Sequence, residues 1–407
     1  MKHDPHLQTP SIYLIAAEES GDALGAALIR SLMERERGNL RLAGVGGQAM
    51  AAAGIASPFP IHDLSIVGLT AIPRRLPLIL RRIRETADAV IAARPDALVI
   101  IDSPDFTHRV ARRVRRAAPS IPIVDYVSPS VWAWRPGRAR AMRRYVDCVL
   151  AILPFEPAAH VRLGGPPCIF VGHPLIERID RLRPDAEDKR RRSSDPPLVL
   201  VLPGSRSSEI RRLLAAFGET VGRAAAQMGP VDVVLPTLPH LLEAVSAGAA
   251  SWPVQPRIVA DESEKWAAFR SARVALAASG TVTLELALAG VPTVGAYRLS
   301  LFEEAVARIM RLPEISTIIL ANLILGENVV PEFLQRDCTP EKLADALVAL
   351  AGDGPERSRQ LDAFKRLDAM MAVGTATPSS QAAAIVLDLA RRGRRTPAAA
   401  DIMAGSC

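Results

Sequence analysis

The chain has 407 residues and a mass of 43.7 kDa, which exceeds one ordinary hydrophobic core and fits two domains. A hydrophobic share of 49% with 23% charged residues is typical of a globular protein and argues against disorder. The net charge of +7 favours an anionic partner. Because the sequence has no zinc finger, RNP motif or basic zipper, phospholipid or phosphorylated substrates are favoured over nucleic acid.

Neither a targeting segment nor a metal framework is predicted. The residues before the first strand include an acid and prolines without an apolar run, and no window approaches the roughly 20 apolar residues of a membrane span. The four cysteines are scattered and lack histidines at ligand spacing, which favours a reducing compartment without zinc or disulfides. We therefore expect a cytoplasmic protein.

Short Val/Ile/Leu-rich runs recur along the chain with helical stretches between them. Near-continuous apolar runs of this length are typical of strands in parallel sheets that helices cover on both faces. The alternation predicts an α/β fold with two Rossmann-like parallel sheets and a cleft at the carboxyl ends of their strands. The predicted strands are Ile12–Ala16, Ala97–Ile101, Ile121–Val127, Val149–Leu153, Leu198–Leu202, Val231–Leu235, Val274–Ala278 and Thr293–Ala296.

A charged, proline-rich and serine-rich stretch without apolar periodicity marks the middle of the chain, and it predicts a solvated linker. The pattern after about residue 340 is helical, and the last residues are small and polar. The predicted division is a disordered start at 1–10, an acceptor and membrane domain at 11–173, a linker at 174–197, a nucleotide domain at 198–345, C-terminal helices at 346–393 and a disordered tail at 394–407.

Two polar turns follow the first predicted strands. Glycines in Ala17–Ala26 allow backbone N–H groups to approach an anion or a sugar, although an ordinary turn with Asp22 in the first helical turn explains the segment equally well. Asp102 and Asp105 follow the second strand, where a catalytic base would point into the cleft. We interpret Asp105 as the helix cap or a support and Asp102 as the chemical residue.

Aromatic and basic residues are concentrated in Tyr126–Arg135, which carries two of the four tryptophans. Sugar rings stack on aromatic side chains and phosphates pair with arginine, so the segment indicates a carbohydrate-phosphate site, although at least one indole is expected to fill the core.

The second half contains two small-residue turns that each open a helix, Pro203–Glu209 and Ser279–Glu285. Such turns suit phosphates on N–H groups and hydroxyls. Arg206 is predicted to neutralise a diphosphate and Glu285 to hold ribose hydroxyls. Together the two turns indicate a nucleotide diphosphate.

The segment Leu64–Arg84 interleaves apolar residues with arginines, a pattern of segments that lie on an anionic bilayer. The alternative is a buried helix with a wet arginine face. Pro73 and Pro77 are expected to break any long helix. The candidate membrane residues are Ile66, Leu69, Ile72, Arg74, Arg75, Leu76, Ile79, Leu80, Arg81 and Arg82.

These segments, taken in order, resemble the lipid-A-disaccharide synthase family. Tyr126–Arg135 is the most specific match, and Leu153–Glu156, Val171–Pro174, Leu202–Arg206 and Ser279–Glu285 follow in the family's order. The resemblance implies a GT-B fold and a peripheral position on the cytoplasmic face of the inner membrane. It also implies transfer of 2,3-diacylglucosamine from UDP to the 6-hydroxyl of 2,3-diacylglucosamine 1-phosphate, with inversion, to give the β-1,6 disaccharide and UDP.

The residues and the resemblance together define the candidate site. No dinucleotide cofactor is expected because the first turn is not G-x-G-x-x-G, and no metal is expected because the sequence has no D-x-D triplet. A homodimer through the C-terminal helices is expected as well. The catalytic candidates are Asp102 and Glu18; the donor-binding candidates are Gly204, Ser205, Arg206, Ser279, Gly280, Thr281, Glu285, Tyr297, Arg298 and Asn322; the acceptor-binding candidates are Ser20, Gly21, Asp105, Ser128, Trp132, Trp134 and Arg135.

Five positions depart from the family pattern, and they affect the expected donor-loop geometry rather than the reaction: Ala17, Glu19, Thr107, Ala296 and Ala321. Two other functions stay open on the residues alone. One is a UDP-sugar epimerase of the same fold, and the other is a non-catalytic membrane-associated protein that binds nucleotide sugars.

Overall fold

The computed structural model describes residues 9–64, 72–299 and 317–393, without the side chains of 72–74. The predicted tail at 394–407, nearly all of the predicted disordered start, Ile66 and Leu69 lie outside the described residues, as do the side chains of Ile72 and Arg74. The chain divides into two compact units, one of residues up to Ile176 together with those from Val373, and one from Glu177 to Ala372. The predicted domain bounds, which place the C-terminal helices together, stay a prediction.

The first unit is built on a parallel sheet with six strands in the described residues, in the order β2-β1-β3-β4-β5-β6. The central strand β3 is buried along its whole length, as expected for a strand covered by helices on both faces. The elements are β1 Ser11–Ala16, α1 Glu19–Arg35, β2 Arg41–Val45, α2 Gln48–Ala52, α3 Ile72–Ala93, β3 Ala97–Ile101, α4 Pro104–Ala117, β4 Ile123–Tyr126, α5 Gly137–Met142, β5 Cys148–Ala151, α6 Glu156–Arg162 and β6 Cys168–Phe170.

The second unit contains the other sheet, also parallel and six-stranded over the described residues, in the order β12-β11-β10-β7-β8-β9. Its elements are α7 Ile179–Leu182, α8 Ala186–Arg192, β7 Leu198–Leu202, α9 Ser207–Met228, β8 Asp232–Pro236, α10 Leu242–Ala249, β9 Arg257–Val259, α11 Glu262–Ser271, β10 Val274–Ala278, α12 Thr281–Leu288, β11 Thr293–Tyr297, α13 Leu320–Leu325, β12 Glu332–Leu334, α14 Pro340–Ala351 and α15 Pro355–Met371. A last helix, α16 Pro378–Arg392, belongs to the first unit and packs there against α1.

The two predicted parallel sheets are confirmed, and all eight predicted strands are present with small shifts at their ends. The expectation that proline breaks Leu64–Arg84 is wrong, because α3 runs through Pro77. Pro73 lies in the first turn, where its missing N–H has no intrahelical partner to lose. Of the two prolines, only Pro77 removes a backbone hydrogen bond from α3, and this single loss lies near the start of a helix of 22 residues.

The predicted solvated linker is also structured, since it forms α7 and α8. Arg192 ends α8 and donates hydrogen bonds to four backbone carbonyls, those of Phe269, Arg270, Ala289 and Gly290. These carbonyls lie at the C-terminal ends of α11 and α12, where a cation is favoured. Burial lowers the pKa of this guanidinium to about 10. Arg192 therefore has a structural role: it links the C-terminal ends of α11 and α12 through its guanidinium.

Candidate active site

A sharp backbone turn presents Asp102 at the carboxyl end of β3. Asp102 and Ser103 have φ angles of 51° and 44°, in a region that costs a residue with a side chain about 1–3 kcal/mol each. The buried Thr107 hydroxyl donates to the Asp102 carbonyl at 2.7 Å and lies 3.1 Å from that of Ser103. Ser20 donates to the Asp102 carboxylate at 3.3 Å. The chain therefore holds a strained turn in place around the predicted base.

A cavity of about 900 Å³ opens beside this turn, entirely within the first unit. Its wall combines carboxylates, arginines and an apolar side formed by the start of α3. Of the sequence candidates it brings together Glu18, Ser20, Asp105, Arg135, Leu76 and Ile79, whereas Asp102 lies in the adjoining turn and is not part of the lining. The lining adds Arg109, His62 and Phe106, which the sequence did not single out, and Leu64, the first residue of the predicted membrane segment.

Asp105 does not cap α4, because no side chain caps that helix, and the Asp105 side chain is exposed. Its carboxylate lies 3.5 Å from the Arg138 guanidinium. The capping interpretation is wrong and the interpretation as a support remains. Pro104 does occupy the first turn of the helix, as predicted.

Several predicted acceptor residues have structural contacts away from the cavity lining. Gly21 is buried where an added Cβ would lie 3.2 Å from the Ile101 carbonyl, so it lets α1 approach β3. Ser128 is buried, with its hydroxyl 2.8 Å from His160 Nε2. Their roles in binding acceptor stay predictions that these contacts do not favour.

The two indoles of Tyr126–Arg135 have different surroundings. The Trp132 ring packs edge-on against Phe155 at 5.1 Å, and its Nε1 donates to the Glu156 carboxylate at 3.3 Å. Trp134 carries the Arg135 guanidinium over its face at 4.1 Å. Burial raises the pKa of Glu156 to about 7, although N–H donors from Leu153 and Trp132 oppose the shift. Trp132 therefore serves the packing of this loop, whereas Trp134 holds an arginine of the cavity wall.

The described part of the predicted membrane segment divides into two faces. Leu76 and Leu80 are 43% and 39% exposed and lie one turn apart on α3. Ile79 instead packs against the core. Arg82 forms ion pairs within the protein, because its guanidinium lies 2.6 Å from the Asp63 carboxylate and 2.9 Å from the Glu85 carboxylate.

Two further arginines of that segment, Arg75 and Arg81, make weaker contacts with the protein than Arg82 does. Arg75 donates to the His62 carbonyl at 3.3 Å, and the exposed Arg81 pairs with Glu85 at 3.4 Å. Only part of the predicted membrane set is therefore turned to the outside. No helix in the described ranges is long and apolar enough to cross a membrane.

A second cavity, of about 410 Å³, lies wholly in the second unit at the carboxyl ends of its strands. Both predicted phosphate turns line it, which brings together Gly204, Ser205, Arg206, Ser279, Gly280, Thr281 and Glu285. The lining also includes Thr237, Glu209 and Lys265, which the sequence analysis missed. Glu209 and Lys265 lie within helices α9 and α11, and helical periodicity alone gives no sign of what they face.

The first of these turns is closed by a side chain of its own helix. One Glu209 carboxylate oxygen accepts from the backbone N–H groups of Ser205 at 2.9 Å and Arg206 at 3.2 Å, and the other accepts from the Arg206 guanidinium at 2.9 Å. A Cβ on Gly204 would lie 2.4 Å from this carboxylate. A glycine is therefore needed at position 204 because a side chain would collide with Glu209. The sequence pattern instead predicts that this turn suits a phosphate.

The second turn is open. An added Cβ at Gly280 would meet nothing within 4 Å. The hydroxyl and the N–H of Thr283 both donate to the Gly280 carbonyl, so Thr283 does not accept from the N–H groups of its own turn as Glu209 does. The Ser279 hydroxyl of this turn donates to the Glu332 carboxylate at 3.2 Å. Glu285, one turn further on, lies 3.4 Å from the Lys265 ammonium. The open turn and this ion pair face the same cavity.

Three further donor candidates do not line this cavity. Asn322 is 2% exposed, and its amide joins the backbone of Val329 and Val330. Arg298 donates to the Cys338 carbonyl, and Tyr297 is the last residue of β11. The donor roles of Asn322, Tyr297 and Arg298 stay predictions, and the backbone contacts of Asn322 do not favour its role.

Similarity to known proteins identifies the family of this chain. A family model described as lipid-A-disaccharide synthetase matches residues 12–386. Lipid-A-disaccharide synthases of Nitrobacter hamburgensis and Nitrobacter winogradskyi are 62% and 60% identical, each over 94% of this chain and 96% of the relative. The chain belongs to the lipid-A-disaccharide synthase family. It is therefore an enzyme, a glycosyltransferase of lipid A biosynthesis, and the predicted resemblance is confirmed.

Solved structures of low sequence identity share the fold. A putative UDP-N-acetylglucosamine 2-epimerase from Listeria monocytogenes has a TM-score of 0.59 at 14% identity, covering 93% of this chain and 95% of its own. Acinetobacter baumannii MurG has a TM-score of 0.57 at 15% identity, covering 93% and 99%. These neighbours confirm the GT-B fold. Because membership of the synthase family gives the activity, the epimerase and non-catalytic alternatives are set aside.

Proposed function

We propose that the chain transfers 2,3-diacylglucosamine from UDP to the 6-hydroxyl of 2,3-diacylglucosamine 1-phosphate, with inversion at the anomeric carbon. The products are the β-1,6-linked disaccharide 1-phosphate and UDP. The family supplies the reaction, and the strained Asp102 turn beside a large, partly apolar cavity is the observation that carries the residue assignment.

Inversion in one step requires a base to take the proton of the acceptor hydroxyl while its oxygen attacks and UDP leaves. Asp102 is the proposed base, and its hydrogen bond from Ser20 fixes one carboxylate oxygen while the other remains for the acceptor. Glu18 lines the cavity beside the Asp102 turn and is the rival, or the residue that orients the acceptor.

Turnover of purified protein with both diacyl substrates tests the base. Asp102→Asn should lower kcat by roughly 10²–10⁴ because general base catalysis is lost, and it should leave UDP binding unchanged. Asp88→Asn is the matched control, since Asp88 is an exposed aspartate of the same unit that pairs with Arg113. Near-normal turnover of Asp102→Asn would remove it from the mechanism and direct the proposal to Glu18.

UDP is proposed to bind in the second cavity, with Arg206 and the open turn at Gly280 near the diphosphate and Glu285 at the ribose. Positive charge and free N–H groups stabilise the leaving UDP as its charge develops. Arg206→Ala and Glu285→Ala should weaken UDP binding in calorimetry, whereas Arg211→Ala, an exposed arginine further along α9, should not. If both cavity variants bind UDP like the parent, the donor site lies elsewhere.

Membrane docking through α3 is proposed as well. Acyl chains gain about 0.8 kcal/mol per buried methylene, so the substrates stay in the bilayer and the enzyme must reach them. The exposed Leu76 and Leu80 would enter the interface, and each nearby arginine adds about 1 kcal/mol against anionic lipid. The chain is proposed to work on the cytoplasmic face of the inner membrane.

Sedimentation with anionic phospholipid vesicles tests the docking face. The double variant Leu76→Ser/Leu80→Ser should bind vesicles less, and its activity on bilayer-embedded acceptor should fall more than its activity on detergent-dispersed acceptor. Leu242→Ser/Met370→Ser removes two similarly exposed apolar side chains of the second unit and serves as control. Equal vesicle binding by the α3 variant and the parent would move the contact elsewhere.

A homodimer through the C-terminal helices remains a proposal. One face of α16 is already buried against α1 within the chain, so a partner would have to use other faces or other helices. Size-exclusion chromatography with light scattering tests the oligomeric state.

A further inference from the structure

The donor cavity contains a lysine that the reaction as proposed does not use. Lys265 lines the cavity, and its ammonium lies 3.4 Å from the Glu285 carboxylate. The two side chains are 31% and 16% exposed, so the pair is largely removed from water. A partly buried carboxylate needs such a partner to hold one geometry.

The lysine is itself held in place. Its ammonium lies over the Trp266 ring at 4.2 Å and the Phe269 ring at 5.3 Å, both on the same helix. The N-terminus of α11 is capped by Asp261, which accepts from the N–H groups of Ser263 and Glu264, and its last carbonyls are bound by Arg192. Because α11 is fixed at both ends, Lys265 is a stationary charge rather than a mobile surface cation.

We infer that Lys265 is a positioning residue for donor recognition: it holds one oxygen of Glu285 so that the carboxylate presents its other oxygen to a ribose hydroxyl of the nucleotide diphosphate. This inference rests on the proposed donor site. The Lys265 ammonium lies close to the Glu285 carboxylate and over two aromatic rings. Both contacts favour this role over a direct contact with phosphate. Arg206 and the open turn at Gly280 supply positive charge and N–H donors elsewhere in the cavity.

Calorimetry with UDP, 2′-deoxy-UDP and uridine separates the two roles. The parent should bind UDP roughly tenfold more tightly than 2′-deoxy-UDP, the size expected for one hydrogen bond to a charged group. Lys265→Met should lose most of that preference, because its Glu285 is no longer held. Lys265→Arg, which keeps the cation, should retain part of it. Lys365→Met removes an exposed lysine paired with Asp362 in the same unit and should change nothing.

A double-variant cycle tests whether Lys265 acts through its partner. Lys265→Met combined with Glu285→Gln should lower UDP affinity no further than Glu285→Gln alone, since the carboxylate that Lys265 holds is already gone. Additive losses would overturn the inference. So would a Lys265→Met protein that weakens UDP and 2′-deoxy-UDP equally while uridine binding is kept, because that pattern identifies a phosphate contact.

The remaining outcomes are also informative. A correctly folded Lys265→Met protein, judged by circular dichroism, that binds all three ligands like the parent would overturn the inference and leave the donor site intact. If the parent itself binds no UDP, the proposed donor site fails, and the role of Lys265 fails with it.

Discussion

His173 gives the sharpest test of the structure through pH. It lies between β6 and the turn Pro174–Arg178 and is 7% exposed. Its Nδ1 accepts a hydrogen bond from the Leu175 N–H at 3.2 Å, so the imidazole orders the start of this turn. Burial lowers its pKa from 6.5 to about 4, since the charged imidazolium loses its hydration.

The sign follows from the protons bound in each state. Between pH 6.5 and pH 4 the unfolded chain binds a proton at His173 and the folded chain does not, so the free energy of unfolding falls as the pH falls through this window. Those two pKa values give a loss of about 2 kcal/mol between pH 7 and pH 5. His173→Asn removes the titration, and its side-chain oxygen can accept from the same N–H two residues on.

Thermal unfolding of parent and His173→Asn at pH 7 and pH 5 measures this loss. All other titrations are shared by the two proteins and cancel in the comparison. The parent midpoint should fall more than that of the variant by about 4–8 °C, using about 2–4 °C per kcal/mol for a unit of this size. The exposed His62→Asn variant controls for loss of a histidine in general. Parallel midpoints for the parent and His173→Asn across this range would refute a buried, neutral His173.

Three other predictions concern residues whose roles the sequence did not show. Glu156→Gln should gain stability over the parent by about 2 kcal/mol more at pH 8 than at pH 5, because burial raises the pKa of Glu156 to about 7 and the folded chain must ionise it above that pH; urea unfolding checks this. Thr107→Val should lower kcat with a smaller change in KM, and Thr107→Ser should not, since serine keeps the hydroxyl that donates to the backbone of the Asp102 turn and valine lacks it. Arg192→Met should cost about 2–4 kcal/mol in urea unfolding, whereas Arg190→Met on the exposed side of α8 should cost under about 0.5 kcal/mol.

The fold was predictable to the extent that strands are buried on both faces. The strands that apolar runs predicted include every central one. The four that were missed, β2, β6, β9 and β12, all lie at sheet edges. Each is only partly buried, and three of them have only three residues, as in Arg257–Val259 and Glu332–Leu334, so their residues need not form a continuous apolar run.

Side-chain roles were less predictable because charge alone does not say which face a residue occupies. Lys189–Arg192 is a uniform basic run in the sequence, yet its last arginine is fixed by backbone carbonyls distant in the chain. Thr107 was noticed only as a departure from the family pattern, and its hydroxyl proves to support the Asp102 turn. Both roles depend on contacts that form only after the helices pack.

The two donor turns show how one residue changes the electrostatics of a shared motif. Each is a small-residue turn at the end of a central strand, and they differ at the third position of the following helix. Glu209 reaches back to the N–H groups of its own turn, whereas Thr283 donates to the Gly280 carbonyl and leaves the turn open. A carboxylate in the first turn already satisfies the groups that a phosphate would use and repels a second anion at short range. The diphosphate is therefore expected at the Gly280 turn, with Arg206 of the same cavity as its cationic partner. Arg206, whose side chain is 76% exposed, has the freedom to exchange Glu209 for the ligand.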